Sequence, residues 1–373
     1  MELFATAARG TEVALRDELR EHRFRRVRAD RGGVHFEGDL VEAGRACLES
    51  RVAVRVLARL AEHDAQGERA LYDGVRAIDW RPWLTPRLTL AVSSVSRDSA
   101  LTHTQFIAQK TKDAIVDSLR DALGARPSVD LQDADVRVFV HLVRDRATVY
   151  LDVSGESLHR RGWRARIGGA PLKETLAAAL LRMSGWDRAR PLCDPMCGSG
   201  TLAIEADLWA RGVAPGILRD RFGFERWASH EAGAAARMAA LRETARARVK
   251  DEGPTIEGSD VDGRVVDLAR ENARAASAHV SFAVAPLSSF RAPSGAFIVT
   301  NPPYGERLQP EERLYAEMGE VFGALAGRDV AILAGTPAIE RAMPMRAVKS
   351  LPVWNGPIEC RLLCYTVSGR TPR

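Results

Sequence analysis

The sequence predicts an α/β protein whose main domain is a doubly wound, mostly parallel sheet. From about residue 190 onward, apolar strands alternate with helical patterns, which is typical of parallel sheets. Residues 1–60 follow the order β-α-β-β-α-β, which indicates a small ferredoxin-like domain. Residues 61–158 change to a second α+β pattern. At 373 residues the chain is long for one domain, so we predict three, at 1–60, 61–158 and 159–373.

The elements of these domains are predicted from periodicity and turn residues. In the first domain they are the strand ELFATA, the helix GTEVALRDELREH, the hairpin FRRVRAD and GGVHFEG, the helix LVEAGRACLES and the strand VAVRVLARL. The second has the alternating strand RLTLAVSSVS, the helix THTQFIAQKTKDAIVDSLRDAL and two strands in VRVFVHLVRDRATVYLDVS. In the third, APLKETLAAALLRMSG predicts a helix capped by Thr175. A closing hairpin turns at Asn355-Gly356.

Composition limits the compartment and the partners. No apolar run approaches membrane-spanning length and the N-terminus lacks a signal-peptide layout, so we expect a cytoplasmic protein. Cys193/Cys197 and Cys360/Cys364 have no further ligand nearby, so we interpret them as packed thiols and expect no metal. The net charge of +5, carried mostly by arginine, permits a nucleic-acid partner without demonstrating one.

The segment HRRGWRARIGG at 159–169 holds four arginines, one tryptophan and no acid. A basic, aromatic segment between domains favours phosphate contacts, and we assign RNA binding to it, together with Lys110 on the long helix of the second domain. The alternative is a solvated linker with Trp163 as its one fixed side chain. The arginines concerned are Arg160, Arg161, Arg164 and Arg166.

A glycine loop, Asp194-Pro-Met-Cys-Gly-Ser-Gly-Thr201, follows a short apolar strand and opens a helix. Gly198 and Gly200 allow a sharp turn and close approach to a ligand, and a helix N-terminus suits a polar group. The loop lacks the lysine of a phosphate-binding P-loop and the spacing of a dinucleotide motif. Asp194 at the strand tip could instead bind a cationic amino group.

A second acid ends the next predicted strand, in Gly258-Ser259-Asp260. In doubly wound sheets an acid at this place hydrogen-bonds the ribose of a nucleoside, and Asp260 is the first candidate. Asp262 either helps Asp260 to bind the ribose or caps the following helix. The alternative to ribose binding is that both acids only cap the helix. The glycine loop and Asp260 together predict a pocket for a nucleoside with an amino-acid tail, and S-adenosylmethionine matches that description.

The turn Asn301-Pro302-Pro303-Tyr304-Gly305 follows the apolar run SGAFIVT. An exocyclic amine on a base is a poor nucleophile, and two acceptors that hold its N–H bonds correct this. The Asn301 oxygen and the Pro302 carbonyl are suitable, because the prolines fix their positions. Tyr304 could stack on a base turned out of its helix, returning about 1–3 kcal/mol. The alternative is a proline-rich turn without chemical significance.

The chain resembles the THUMP-domain methyltransferases, and most closely the bacterial 23S ribosomal RNA guanine-N2 methyltransferases. The motifs that carry this resemblance are DPMCGSGTLAIEA, GSDVDGRV, TNPPYGERL, LDVSGESLHRRGWR and APLKETLAAALL. The resemblance implies a ferredoxin-like domain, a THUMP RNA-binding domain and a class I (Rossmann-like) methyltransferase domain. It places ribose binding on Asp260 and base binding on Asn301 to Tyr304. It places cofactor binding on Asp194, Met196, Gly198, Gly200 and Thr201.

Two features depart from the family. Relatives usually place an acid after the third strand, where this chain has Ala285-Pro286, so the adenine contact would be lost or pass to the backbone or Ser288. The chain also ends soon after the closing hairpin, so we expect no second, fused methyltransferase domain and no second methylation.

The resemblance implies an enzyme that forms N2-methylguanosine in 23S ribosomal RNA with S-adenosylmethionine and without a metal. One alternative is methylation of tRNA guanine. Adenine in DNA and glutamine in protein are disfavoured by the accessory RNA-binding region. A further alternative, motivated by Pro286, is a catalytically weak RNA-binding or ribosome assembly factor. A monomer is favoured.

Overall fold

The computed structural model describes residues 1–164, 172–230, 232–304 and 311–367. The N-terminal part forms one eight-stranded sheet in the order β2-β3-β1-β4-β8-β7-β5-β6. Its strands are β1 (Glu2–Thr6), β2 (Arg25–Asp30), β3 (Gly33–Glu37), β4 (Arg55–Asp64), β5 (Thr89–Arg97), β6 (Ser128–Val129), β7 (Val136–Val143) and β8 (Arg146–Asp152). The helices packed on it are α1 (Glu12–Glu21), α2 (Leu40–Glu49), α3 (Glu68–Arg76) and α4 (Thr104–Leu123).

The predicted order β-α-β-β-α-β is confirmed for the first 64 residues. Strand β4 joins the two α+β units, because it pairs with β1 on one side and with β8 on the other. The first unit ends and the second begins within this one strand, near a bulge between Arg59 and Ala61. One continuous apolar cluster lies under both units. We refer to the whole eight-stranded sheet with its helices, which includes both α+β units, as the N-terminal unit.

The second sheet has the order β11-β10-β9-β12-β13-β15-β14, in which β15 runs antiparallel to both of its neighbours, β13 and β14. Its strands are β9 (Leu192–Asp194), β10 (Ile256–Asp260), β11 (Val280–Val284), β12 (Phe297–Thr300), β13 (Asp329–Ala334), β14 (Lys349–Asn355) and β15 (Ile358–Thr366). Its helices are α5 (Glu174–Ser184), α6 (Thr201–Ala210), α7 (Ala232–Ala247), α8 (Gly263–Ala276), α9 (Glu311–Gly323) and α10 (Pro337–Ala342). The predicted mostly parallel, doubly wound sheet is confirmed.

The direction of winding reverses between β9 and β12, and ligands of such sheets bind outside the strand ends at this reversal. Strands β9, β10 and β12 run parallel, so their carboxyl ends meet at one edge. Those ends are Asp194, Asp260 and Thr300. The fold therefore brings both predicted acids and the Asn301 turn to the same edge.

Three local predictions differ from the structure. Helix α5 begins at Glu174 after the N-cap Lys173, and Thr175 is buried inside its first turn, so the predicted Thr175 cap is wrong. The closing hairpin turns at Gly356 and Pro357, since Asn355 still pairs with Ile358. Helix α3 has no counterpart in the sequence prediction, because only Leu71 and Val75 give it a buried side.

No helix in the described ranges is long and apolar enough to span a membrane. Within the same ranges, no group of three or more histidine, cysteine or acidic side chains could hold a metal ion. All five cysteines are buried free thiols.

Candidate active site

Asp194, the last residue of β9, is buried at the centre of the site, with 2% of its surface exposed. Its Oδ1 accepts hydrogen bonds from the Thr300 hydroxyl at 2.8 Å and the Met196 amide at 3.3 Å. Burial, assisted by the nearby Asp260 carboxylate, raises the pKa of Asp194 to about 7. A cationic group placed beside this carboxyl would favour its ionised form.

The glycine loop between β9 and α6 turns at Gly200, whose φ of +82° favours glycine. A Cβ at Gly200 would also lie 2.7 Å from the Phe282 ring, so the position has no room for a side chain. Thr201 then begins α6, and its buried hydroxyl accepts a hydrogen bond from Arg164 at 3.2 Å. The loop is therefore held tightly against the neighbouring strand.

Asp260 at the end of β10 binds this loop directly. Its Oδ2 accepts the Gly198 amide at 2.9 Å, and its Oδ1 accepts the Asp262 amide at 3.1 Å. The Cys197 amide donates to the Ser259 carbonyl at 2.9 Å and fixes the loop a second time. The predicted cofactor residues of the loop and Asp260 thus lie together.

Asp262 is the N-cap of α8, because its side chain accepts the Arg264 amide at 2.9 Å. It also forms an ion pair with the Arg264 guanidinium at 2.9 Å. Of the two roles considered for Asp262, the structure therefore provides helix capping.

Asn301 follows the buried Thr300, whose hydroxyl reaches Asp194. The Asn301 Oδ1 is buried and has no hydrogen-bond partner within the described residues. A buried acceptor left unpaired costs about 1–3 kcal/mol, so this oxygen suits a donor brought by a ligand. Pro302 is buried, and the Pro303 carbonyl accepts the Tyr315 hydroxyl at 3.0 Å. These contacts fix the turn.

Tyr304 is held by the closing hairpin. Its hydroxyl accepts a hydrogen bond from the Asn355 amide at 2.9 Å, and Cys360 on β15 also contacts it. The ring packs over Gly335, where a Cβ would come within 2.2 Å of it. Burial raises the pKa of the Tyr304 phenol above its ordinary value, so this side chain stays neutral. Gly305, the last residue of the predicted turn, lies outside the described residues.

The prediction that Arg161 contacts RNA is wrong for this structure, because the side chain is 3% exposed and its donors are used internally. It bonds to Glu205 on α6 at 3.2 Å and to the Leu158 carbonyl at 2.8 Å. Trp163 is buried between α6 and α8. This part of the linker is therefore neither a phosphate ligand nor solvated.

Arg164 lies at the cofactor loop. Its Nη2 donates to the Thr201 hydroxyl at 3.2 Å, and its Nε donates to the buried Glu174 at 2.8 Å. These bonds hold the first turn of α6 and occupy donors of the Arg164 guanidinium.

The other predicted RNA contacts have different placements. Arg160 is exposed and pairs with Glu156 at 3.2 Å. Lys110 on α4 pairs with Glu68. Arg166 lies outside the described residues.

The third strand, β11, ends without an acid. The Ala285 amide donates to the Asp260 carbonyl at 3.0 Å, and Pro286 and Ser288 are exposed. Ala285 and Pro286 therefore occupy the place after β11 where the resemblance led us to expect an acid.

Three contributing residues were missed in the sequence. Thr300 links the two motifs, Asn355 fixes Tyr304, and the Asn272 amide on α8 donates to the Ser199 carbonyl at 3.1 Å. Thr300 had a signal, because it directly precedes the Asn301 turn. Asn355 and Asn272 contact residues that are distant in the sequence, so no sequence signal pointed to them.

Comparisons with known proteins agree with this architecture. Residues 161–363 match the family model described as "RMKL-like, methyltransferase domain", residues 65–152 match the THUMP domain, and residues 2–57 match the RlmL ferredoxin-like domain. Proteins called "Ribosomal RNA large subunit methyltransferase K/L" are 42% identical in Syntrophotalea carbinolica and in Methylococcus capsulatus, over 99% and 100% of this chain. The chain spans about half the length of these relatives, 54% and 52%.

Solved structures share the fold over the whole chain. The S-adenosylhomocysteine complex of SMU.472, described as a methyltransferase, has a TM-score of 0.88 at 31% identity and covers 100% of this chain and 99% of its own. A Listeria monocytogenes protein described as an N6-adenine-specific DNA methylase has a TM-score of 0.87 at 31% identity, over 98% of this chain and 95% of its own. This chain belongs to the RMKL-like methyltransferase-domain family, with THUMP and ferredoxin-like domains before the methyltransferase domain.

Proposed function

We propose that the protein is an S-adenosylmethionine-dependent RNA methyltransferase that forms N2-methylguanosine, with 23S ribosomal RNA as its substrate. The observation that carries this proposal is the buried Oδ1 of Asn301, which has no partner among the described residues and lies one residue beyond the Thr300–Asp194 hydrogen bond. It provides an acceptor for an amine N–H at the edge where the cofactor residues meet.

The cofactor, when bound, supplies a methyl group on a positively charged sulfur. Asp194 would hold the ammonium group of its amino-acid tail, and the raised pKa would let this carboxyl ionise beside the cation. Asp260 would accept ribose hydroxyls while it continues to hold the Gly198 amide. The relative solved with S-adenosylhomocysteine supports this choice of cofactor.

Asn301 Oδ1 and the Pro302 carbonyl accept the two N–H bonds of the guanine N2 amine. This would direct the nitrogen lone pair toward the methyl carbon, so that an N–C bond replaces the C–S bond, S-adenosylhomocysteine leaves and the amine proton is lost to solvent. The two prolines keep these acceptors in fixed positions, so orientation costs little at the moment of reaction. Tyr304, oriented by Asn355, provides a ring on which the base can stack.

The choice of ribosomal RNA rests on the curated relatives, which are named for the large-subunit RNA, and the THUMP match supports RNA in general. A tRNA guanine is the closest alternative. DNA adenine is a second candidate because of the Listeria relative and because the same turn suits any exocyclic amine. A catalytically weak RNA-binding or assembly factor is the alternative of a different class.

Mass spectrometry of nucleosides distinguishes these functions. Ribosomal RNA, tRNA and DNA from a strain lacking the gene would be incubated with the protein and labelled S-adenosylmethionine. We expect N2-methylguanosine in 23S ribosomal RNA, at a site unmodified in the mutant strain. Label only in tRNA or as N6-methyladenine would replace the substrate assignment. Absence of any heat in a titration with S-adenosylmethionine would support the assembly factor.

A further inference from the structure

The N-terminal unit touches the methyltransferase domain beside the candidate active site. The loop between β1 and α1 packs against β14, where the Trp354 amide donates to the Arg9 carbonyl at 3.1 Å. Gly10 has φ of +89°, and a Cβ there would lie 2.3 Å from the Pro352 carbonyl oxygen. Only glycine permits this approach, so the contact is a built feature of the fold.

The β2–β3 hairpin tip is held at the same place by Glu12. The carboxylate of Glu12 accepts the Gly10 amide at 2.8 Å and the Gly32 amide at 3.2 Å. The Ala7 amide also donates to the Gly32 carbonyl at 2.9 Å. Arg31, next to Gly32 in the chain, therefore stands beside the Arg9 loop.

Arg9 and Arg31 are both exposed. The Arg9 guanidinium carbon lies 3.7 Å above the centroid of the Trp354 ring. A guanidinium stacked in this way keeps its in-plane N–H edges available for a second partner, and those edges match phosphate oxygens. Neither arginine has a carboxylate partner anywhere in the described chain.

This stacked pair is connected to the catalytic turn. Trp354 is followed by Asn355, whose side chain donates to the Tyr304 hydroxyl at 2.9 Å. Asn355 is the last residue of β14, so Arg9 and Arg31 lie near the end of β14 that contacts Tyr304. We call Arg9, Arg31 and Trp354 the rim site.

We propose that the rim site binds phosphates of the RNA strand immediately flanking the target nucleotide. A nucleotide turned out of its helix carries its neighbouring phosphates to the pocket border, where unpaired guanidinium groups neutralise them. The proposal rests on the RNA methyltransferase function above and adds to it. It gives the ferredoxin-like domain a direct part in substrate binding, alongside the THUMP domain.

The test compares Arg9→Ala, Arg31→Ala and the double variant with the wild-type protein. Arg25→Ala is the matched control, because Arg25 is also exposed but lies at the opposite end of β2. In vitro transcribed, unmodified 23S ribosomal RNA is the probe. The measurements are RNA affinity at several salt concentrations, KM for the transcript, kcat, and S-adenosylhomocysteine affinity by calorimetry.

We expect each rim variant to weaken RNA binding and raise KM about fivefold, with kcat and S-adenosylhomocysteine affinity unchanged within about twofold. The slope of log affinity against log salt should fall by about 0.7 for each lost phosphate contact. Trp354→Phe, which keeps a stacking ring, should retain most of the affinity. Arg25→Ala should match the wild type in every measurement.

Wild-type affinity and salt slope in the double variant would overturn the proposal, and would leave Arg9 and Trp354 as a junction contact only. Weaker S-adenosylhomocysteine binding in parallel with RNA loss would equally contradict it, because that pattern indicates a disturbed junction. Failure of the enzyme function is separate: a wild-type protein that binds the transcript but transfers no methyl group refutes the activity while the binding measurements still test the rim site.

Discussion

Asn301 has a side chain that lowers the stability of the fold but suits the proposed function. Its oxygen has no partner in the described part of the chain, which makes the folded protein less stable, whereas the rigid contacts of Thr300, Pro303 and Tyr304 hold the residue in place. The identity of this residue was predictable, because the turn is a contiguous motif. The roles of Arg161 and Arg164 were not predictable, because Glu205 and Thr201, which they contact, are distant in sequence.

We expect cofactor affinity to depend on pH through Asp194. Its pKa of about 7 in the free protein means that an ammonium group must displace a proton from it below neutrality. We expect S-adenosylhomocysteine affinity to rise about tenfold per pH unit up to about pH 7 and then level off. Calorimetry from pH 5.5 to 8.5 would measure this.

The same shift affects folding in the absence of cofactor. The unfolded carboxyl titrates near its ordinary value of 3.8, so the folded protein holds more protons between there and pH 7. Stability should therefore fall as pH rises through that window. Asp194→Asn should abolish this contribution and also flatten the pH dependence of cofactor binding. An unchanged slope of affinity in Asp194→Asn would contradict the assignment of the ammonium contact.

At the scale of elements, the sequence predicted most strands and their order because apolar alternation is a local property. It did not predict that β4 extends one sheet through two units, since the pairing of β4 with β8 joins residues up to nearly 100 positions apart, as in Leu57 and Asp152. The edge where β9, β10 and β12 meet could be predicted, because parallel winding places their carboxyl ends together.

The start of α6 gives a stability prediction at this scale. Gly200 has positive φ and a Cβ there would meet Phe282, whereas a Cβ at Gly198 would meet nothing within 4 Å. We expect Gly200→Ala to destabilise the protein by about 2 kcal/mol or more and to weaken S-adenosylhomocysteine binding. Gly198→Ala, with a φ of +52°, should cost about 1 kcal/mol through backbone strain alone. Equal losses in denaturant unfolding would show that contact with Phe282 has no effect.

At the scale of the whole molecule, a buried ion-pair network joins the N-terminal unit to the methyltransferase domain. Glu205 on α6 is fully buried and accepts from Arg51 at 3.4 Å and from Arg161 at 3.2 Å. Arg161 also donates to the Arg51 carbonyl. Helix α6, which follows the glycine loop, is thereby tied to the N-terminal unit.

Removing Glu205 should leave two buried cations without their shared partner. We expect Glu205→Ala to lower the free energy of unfolding by about 3–5 kcal/mol. Glu156→Ala, which removes an exposed pair with Arg160, should change it by less than about 1 kcal/mol. Thermal and denaturant unfolding would measure both, and similar losses in the two variants would contradict a network role for Glu205.

In the proposed mechanism, methyl transfer depends most on Asn301 as the acceptor that orients the target amine. The decisive measurement is the single-turnover rate of methyl transfer to unmodified 23S ribosomal RNA for wild type, Asn301→Ala and Asn301→Asp, with S-adenosylhomocysteine affinity measured alongside. We predict that Asn301→Ala slows transfer by at least about a hundredfold while its affinity for S-adenosylhomocysteine stays within about threefold of wild type. Asn301→Asp, which keeps an acceptor oxygen, should retain intermediate activity. A wild-type transfer rate in Asn301→Ala would contradict the central claim.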